Sequence, residues 1–259
     1  MSHVQLNQLT GAWTRSNIKY PDGHEDHTTR VYWLQGFKHY ADIRLPAHRP
    51  MFEGVDSIAE CNPSQIHYLL TQQGFAGVLH QHDQNFHWVR HIDFQPETGI
   101  RDIGKLTFTD ATGHSMKEVG VDSPYEETWV RVDGQIEAHR DVLVMAAEGE
   151  KALLVVVGRH AIKVIDHRPP LIGAADLASL QAKRSAAELL DMEISYAQRL
   201  PDGHWLINAS TFPWQEAGAL FEHFSFADHG IDEVVEGPNP RRWRAVEGNA
   251  TASDLFKVS

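Results

Sequence analysis

Apolar residues recur at every second position, or in short unbroken runs, over residues 11–20, 28–45, 66–79, 86–95, 103–109, 114–120, 125–133, 141–147 and 152–165. Between these stretches stand PDG (21–23), PETG (96–99), DATG (110–113), VDG (132–134) and EGE (148–150), all rich in residues that tolerate turn geometry. Period-2 runs punctuated this closely predict strands of an antiparallel sandwich or barrel. One segment departs from the pattern. GAADLASLQAKRSAAELLDME (173–193) has no proline or internal glycine and places Leu177, Leu180 and Leu190 at helical intervals, which predicts a single helix. Strands then resume: MEISYAQRL and HWLINASTF flank a DG turn at 202–203, a hairpin signature, and the tail predicts two or three more. The chain thus divides into a main β section, residues 1–168, and a helix with a smaller β section, residues 169–259. The smaller section either completes the first barrel or forms a second one.

Composition narrows the partners. The chain has 259 residues and a formal net charge of −12, with 35 acidic against 23 basic side chains. Phosphate backbones and anionic membranes need clustered Lys and Arg, and the only tight basic run is PRRWR at 240–244. Nucleic-acid and membrane partners are therefore not expected. The one cysteine, Cys61, allows no intramolecular disulfide. The longest apolar run, ALLVVV at 152–157, is far below the ~20 residues of a membrane span. A cytoplasmic location is the expectation.

The stretch GFAGVLHQHDQNFHWVRHIDFQP (74–96) raises a choice between a metal site and an arginine site. With HDQN or DQ as the loop, His80 pairs with His87, Leu79 with Trp88 and Gly77 with Arg90, and paired residues share a face. One face then carries Phe75, Leu79, Phe86, Trp88, Ile92 and Phe94, with Arg90 as its one charge. Burying six such side chains is worth ~1.5–3 kcal/mol each, so this face turns to the core. His80, His82, His87 and His91 turn outward, and no metal site is expected. Arg90 needs an anionic partner on the inward face, either an internal carboxylate or a ligand.

Trp-x-Arg occurs three times, at Trp13-Thr14-Arg15, Trp88-Val89-Arg90 and Trp129-Val130-Arg131. On a strand the two side chains share a face, where the indole forms a flat wall and the guanidinium can grip a carboxylate. GAW near the N-terminus is similar to the barrel-closing tryptophan of lipocalin-type proteins, so Trp13 is expected at a barrel end. In FKHYADIRLP, Tyr40, Asp42 and Arg44 share a face opposite Ala41, Ile43 and Leu45; the simpler expectation turns the apolar side inward, and a polar ligand cavity would invert it. Met116 and Glu118 share a face, as do Tyr125, Glu127, Trp129 and Arg131. Arg159, after ALLVVVG, is placed at a cavity mouth. No GxSxG, HExxH, phosphate loop or dinucleotide fingerprint is present, and no cofactor is implied.

SPYEETWVRVDG (123–134) followed by RDVLVMAAEGEKALLVVVGRHAIKV (140–164) resembles the fungal Hri1 protein family. The match is an aromatic–acid–x–x–Trp strand ending in Val-Asp, then an apolar strand, then an apolar run closing on Gly-Arg. The resemblance implies a lipocalin-like β-barrel arrangement in two parts, with Glu127, Trp129 and Arg159 at its recognisable positions, and brings no settled biochemical function. The expectation is therefore a mostly β protein with an antiparallel lipocalin-like (calycin-type) barrel. Its leading function is to bind a small anionic or aromatic molecule, with Arg90 neutralising it, Trp88 and Trp129 sandwiching it, and Glu118 or Glu127 orienting the arginines. Asp42, Arg44, Arg131 and Arg159 complete the candidate set. The alternatives are a cofactor-independent lyase, isomerase or hydratase on the same barrel, and a protein-interaction barrel filled by its own side chains.

Overall fold

A computed structural model describes residues 4–133, 141–171, 174–228, 230–236 and 238–257. The first sheet contains β1 (Gly11–Lys19), β2 (Glu25–Asp26), β3 (Arg30–Gln35), β4 (His39–Leu45), β5 (Gln73–His82), β6 (Asn85–Asp93), β7 (Asp102–Phe108), β8 (Ser115–Gly120) and β9 (Glu126–Arg131). Every pairing is antiparallel between sequence neighbours, apart from the small β2 that lies outside β1, and β9 returns to pair with β1. β1 and β3 through β9 thus close an up-and-down barrel of the lipocalin kind, in which no full-length edge is left unpaired.

The second sheet is open. It contains β10 (Val142–Ala147), β11 (Lys151–Val157), β12 (His160–Asp166), β13 (Met192–Arg199), β14 (Trp205–Ser210), β15 (Phe224–Ala227), β16 (Gly230–Glu233) and β17 (Arg241–Gly248). Their order is β14-β13-β12-β11-β10-β17-β16-β15. The break between sheets falls between Arg131 and Val142, so the strands at 141–165, grouped above with the first β section, belong to the second sheet. The β13–β14 hairpin forms across the DG turn as expected.

The expected helix over 173–193 is two short ones, α2 (Leu177–Leu180) and α3 (Ala186–Leu190), within the described part of that segment. Ser185 interrupts it: its hydroxyl caps the Glu188 N–H while Glu188 reaches back to the Ser185 backbone, a capping box that starts a new helix. A further helix, α1 (Pro63–Leu70), replaces the start of the strand expected over 66–79. Asn62 caps it, Pro63 occupies its first turn and Gln65 completes the capping box, so ECNPSQ carried a helix start that the apolar run obscured.

Two cores explain which way the barrel strands face. Inside the barrel, Leu9, Trp13, Trp33, Tyr40, Phe75, Leu79, Phe86, Trp88, Met116 and Trp129 pack together. Outside it, Ala12, Leu34, Ala41, Ile43, Leu45, Ala76, Ile92 and Phe94 pack on Val142, Val144, Val155, Ile162, Val164, Ile194 and Tyr196 of the second sheet, together with α1, α2 and α3. β3 to β5 are therefore buried on both faces. The second sheet has a separate inner core around Trp205, Phe221, Trp243 and, from α4 (Ala252–Phe256), Leu255 and Phe256.

The β5–β6 hairpin turns through Asp83-Gln84 with the expected partners, Gly77↔Arg90, Leu79↔Trp88 and His80↔His87. Past Gly77 the register shifts, so that Ala76 faces Ile92 and Phe75 faces Asp93. This bulge at His91 corrects the face assignment: Ile92 and Phe94 turn to the second sheet, and Asp93 joins the inward side. Gly77 permits it, since a Cβ there would lie 1.9 Å from the Val89 carbonyl oxygen. His80, His82 and His91 are exposed and His87 is half-buried, in keeping with an outward histidine face.

Candidate functional site

The pairing of β1 with β9 crosses two of the Trp-x-Arg segments. Trp13 lies opposite Arg131, and Arg15 lies opposite Trp129. The two arginines stand at different heights in the barrel: Arg131 meets the Trp13 indole, whereas Arg15 reaches the Glu127 carboxylate. Arg131 sits at one end, over the Trp13 ring at 4.1 Å, and its three guanidinium nitrogens donate to the carbonyls of Gly113 (3.0 Å), Thr10 (3.0 Å) and Gln8 (2.6 Å). The Trp13 indole N–H donates to the Leu9 carbonyl (2.8 Å) and its ring stacks on Trp33. Gln81 straps the N-terminal segment across the same end, accepting from the Leu6 N–H and donating to the Val4 carbonyl. This end is closed, with Trp13 in the expected place. Arg131, expected in the ligand site, is instead part of the plug.

Toward the other end the barrel holds a cavity of about 170 Å³ lined by Ile18, Trp33, Asp42, Arg44, Phe75, Trp88, Arg90, Asp102, Glu118, Tyr125, Glu127 and Trp129. Seven candidates from the sequence meet there: Trp88, Arg90, Trp129, Glu118, Glu127, Asp42 and Arg44. Tyr40, Asp42 and Arg44 face the barrel interior, the inverse of the simpler expectation, because the second sheet takes up the apolar side of β4. Arg159 does not join them: it is exposed in the β11–β12 turn and lines a separate surface hollow with Arg199. Asp102, Tyr125, Trp33 and Phe75 are lining residues absent from the candidate set.

The cations of the cavity are held by acids of the chain. Arg44 Nε donates to Asp42 (2.9 Å) and its Nη1 lies 3.6 Å from Glu127. Glu127 also accepts from Arg15 (2.7 Å), which in turn reaches Asp26. Arg90 donates to Asp93 (2.9 Å) and Asp102 (2.5 Å). With its side chain 35% exposed, Arg90 stands at the rim of the barrel rather than deep on an apolar face. Arg44 and Arg90 lie 4.9 and 3.6 Å from the centre of the Phe75 ring.

Burial disfavours the charged form of Asp42 and raises its titration, although Arg44 opposes this. Glu118 is 3% exposed. Burial, then the facing Glu127 and then Asp102 push its carboxyl well above the ordinary carboxylate range. One Glu118 oxygen lies 2.7 Å from the Tyr125 hydroxyl, and the other accepts from the Trp129 indole N–H (2.9 Å). Burial and the neighbouring Glu118 push the Tyr125 phenol up as well. Gly104 makes room for this acid, since a Cβ there would lie 2.8 Å from Glu118 Oε1.

Outside the rim lies a broad cleft of about 840 Å³, lined by the 93–102 connection, β6, Lys151 and Asp166 of the second sheet, Arg168 just after β12, and Ala178 of α2. Phe75, Trp88, Arg90 and Asp102 line both cleft and cavity, so the Arg90–Asp102 ion pair stands between the two.

This architecture defines a two-part β protein with a lipocalin-like barrel and an open second sheet. No protein-family model matches the chain, and no curated protein does. Among solved structures, the chain is similar to the uncharacterized protein YLR301w from Saccharomyces cerevisiae, over 93% of this chain and 100% of that one, with a TM-score of 0.57 at 13% identity. That likeness shows a shared fold across both parts. A lipocalin-like protein from Bacteroides uniformis matches 48% of this chain and 98% of its own, with a TM-score of 0.30 at 12% identity. Among the described residues no helix is long and apolar enough to cross a membrane.

Proposed function

We propose that the barrel is a receptor for one small molecule, taken up from the cleft past Arg90 and held among Trp33, Trp88 and Trp129. The observation that carries this is a ring-lined cavity of about 170 Å³ that shares four wall residues with an open cleft. Its volume is close to that of engineered cavities, ~150 Å³, that hold benzene, so the ligand is small. An aromatic ring remains within this reading. Both guanidiniums lining the cavity already have two carboxylates each, which disfavours the anion expected from the arginines. Kinship with the Hri1 family stays part of the proposal; the resembling stretch supplies Glu127 and Trp129 to the cavity. The test is a titration with phenol, followed by tryptophan emission and thermal unfolding. Saturable quenching with a melting temperature that rises by mass action is expected. Absence of both with phenol and with small ammonium, alcohol and carboxylate compounds would overturn the reading.

A second reading, proton-transfer catalysis, has one observation in its favour: Glu118 and Glu127 face each other directly across β8 and β9 inside the cavity. A protonated Glu118 can donate to a carbonyl oxygen while Glu127 takes a proton from the neighbouring carbon. Deuterium exchange beside the carbonyl of a small ketone, followed by NMR and lost in Glu118→Gln, is the expected result; exchange no faster than in buffer sinks it.

A further inference from the structure

We propose that the ligand of this cavity is a small organic ammonium ion that also carries an oxygen acceptor, an inference that rests on the barrel being a receptor. Four carboxyl groups line the cavity (Asp42, Asp102, Glu118 and Glu127) against two guanidiniums, Arg44 and Arg90. The side chains behind them do not redress the balance: Arg15 is shared between Glu127 and Asp26, and Arg90 is shared with Asp93. An entering anion would meet the surplus acids with no unpaired cation to receive it, whereas a cation completes the charge balance.

The walls suit a cation too. Trp33 stands at 67° to Trp88 and 70° to Trp129, with ring centroids 5.9 and 5.3 Å away, and all three indoles line the cavity. Indole rings attract ammonium groups through their negative faces. The chain already stacks two of its own cations on the fourth ring, Phe75. A separate observation asks for the oxygen. Trp33 is 2% exposed, lines the cavity, and its indole N–H has no hydrogen-bond partner among the described residues. Buried donors are seldom left unpaired, and a hydroxyl on the ligand would satisfy this one.

The proposal fixes a pH dependence. Glu118 on β8 is faced by Glu127 and Trp129 of β9, by Tyr125 just before it, by Asp102 of β7, and by Asp42 and Arg44 of β4; Arg90 and Arg15 lie farther along the network. Burial, and then the neighbouring Glu127 and Asp102, disfavour the ionised form of Glu118 in the empty barrel. An arriving cation favours the ionised form, so binding releases a proton and tightens as pH rises.

The experiment is calorimetric titration of the full chain with choline, with its neutral carbon isostere 3,3-dimethylbutan-1-ol, and with benzoate and phenol. Choline is expected to bind at least ~10-fold more tightly than the isostere, in line with a cation held at a desolvated ring. Repeating the titration in buffers of different ionisation heat should show proton release, and affinity should rise between acidic and neutral pH. Glu118→Gln should lose the proton release while still binding; Glu127→Gln, with one acid fewer, should bind choline more weakly and serves if the first variant fails to fold. If phenol or benzoate binds while choline binds no better than its isostere, the ammonium inference falls and the receptor reading stands. If none of the four binds, both fall.

Discussion

Two arginines from the same Trp-Val-Arg tripeptide should behave very differently when removed. Arg131 is 2% exposed, donates to three backbone carbonyls and covers the Trp13 ring. Leaving buried acceptors unpaired costs ~1–3 kcal/mol each, and losing a desolvated cation–ring contact costs up to ~2 kcal/mol. Relaxation and water entry recover part of that sum, so Arg131→Ala should lose about 4 kcal/mol, in the range for breaking a buried charged network. Arg90 lies at the rim with its side chain 35% exposed, and its pairs with Asp93 and Asp102 are partly screened. Exposed pairs contribute ~0.2–1 kcal/mol, and a half-exposed ring contact ~0.5–1 kcal/mol, so Arg90→Ala should lose about 1–2 kcal/mol. Urea unfolding followed by tryptophan emission measures both. Raising NaCl from 50 to 500 mM, conditions chosen to shorten the screening length severalfold, should shrink the Arg90→Ala deficit and leave that of Arg131→Ala unchanged. Equal losses, or a salt response in Arg131→Ala alone, would refute the division of the barrel into a plugged end and an open end.

Glu247 of β17 accepts from the backbone N–H groups of Phe37, Lys38 and His39 and from the His39 ring, tying the β3–β4 turn to the second sheet. Burial opposes its ionisation but these donors outweigh it and lower its titration below the ordinary 4.5; its stabilisation is present above pH 4.5 and fades as pH falls further, so Glu247→Gln should cost ~1–3 kcal/mol at pH 7 and progressively less as pH is lowered below 4.5 in urea titrations. Glu118 shifts the other way, from an ordinary 4.5 upward, so its contribution is complete below pH 4.5 and is lost as pH rises; Glu118→Gln should be more stable than wild type at pH 8 and equal to it at pH 4. Gly104→Ala should displace the Glu118 carboxyl into the cavity, costing ~1–3 kcal/mol as an overpacked site and weakening small-molecule binding, read by calorimetry.

The strand ladder was legible because period 2 and turn chemistry are local. The β5–β6 partners and the β13–β14 hairpin followed directly from residues a few positions apart. What escaped depends on contacts between distant segments. The inward turn of Asp42 could not be read from FKHYADIRLP, because Ala41, Ile43 and Leu45 find apolar partners on a second sheet more than a hundred residues onward. The bulge at His91 was hidden because one unpaired residue swaps the faces of everything after it. Asp102 gave no local sign, since its role comes from pairing with Trp88 and reaching Arg90 on the adjacent strand. Tyr125 did give one, the face it shares with Glu127 and Trp129, but which side of that strand turns inward was fixed only by its pairing with β1 and β8.

Stability and the candidate site occupy opposite ends of the barrel, and the antiparallel crossing of β1 and β9 is what separates them. At the closed end each polar atom of Arg131 and Trp13 that the bonds above describe ends on a backbone carbonyl, and Leu9, Leu79, Phe86 and Met116 fill the space between. At the open end the same kind of dipeptide meets carboxylates instead, with a cavity among them. Well-packed apolar residues would stabilise a barrel interior at least as well as buried ion pairs, which barely recover their desolvation cost. The second sheet and the plug already supply the apolar burial that holds the fold, so the open end is free to keep an acid surplus, the raised carboxyls of Asp42, Asp93 and Glu118, and an indole N–H with no partner among the described residues, which a fold alone has no use for. A bound ammonium ion would answer the acid surplus and its oxygen acceptor the indole N–H, which is the physical reason to look for the ligand there.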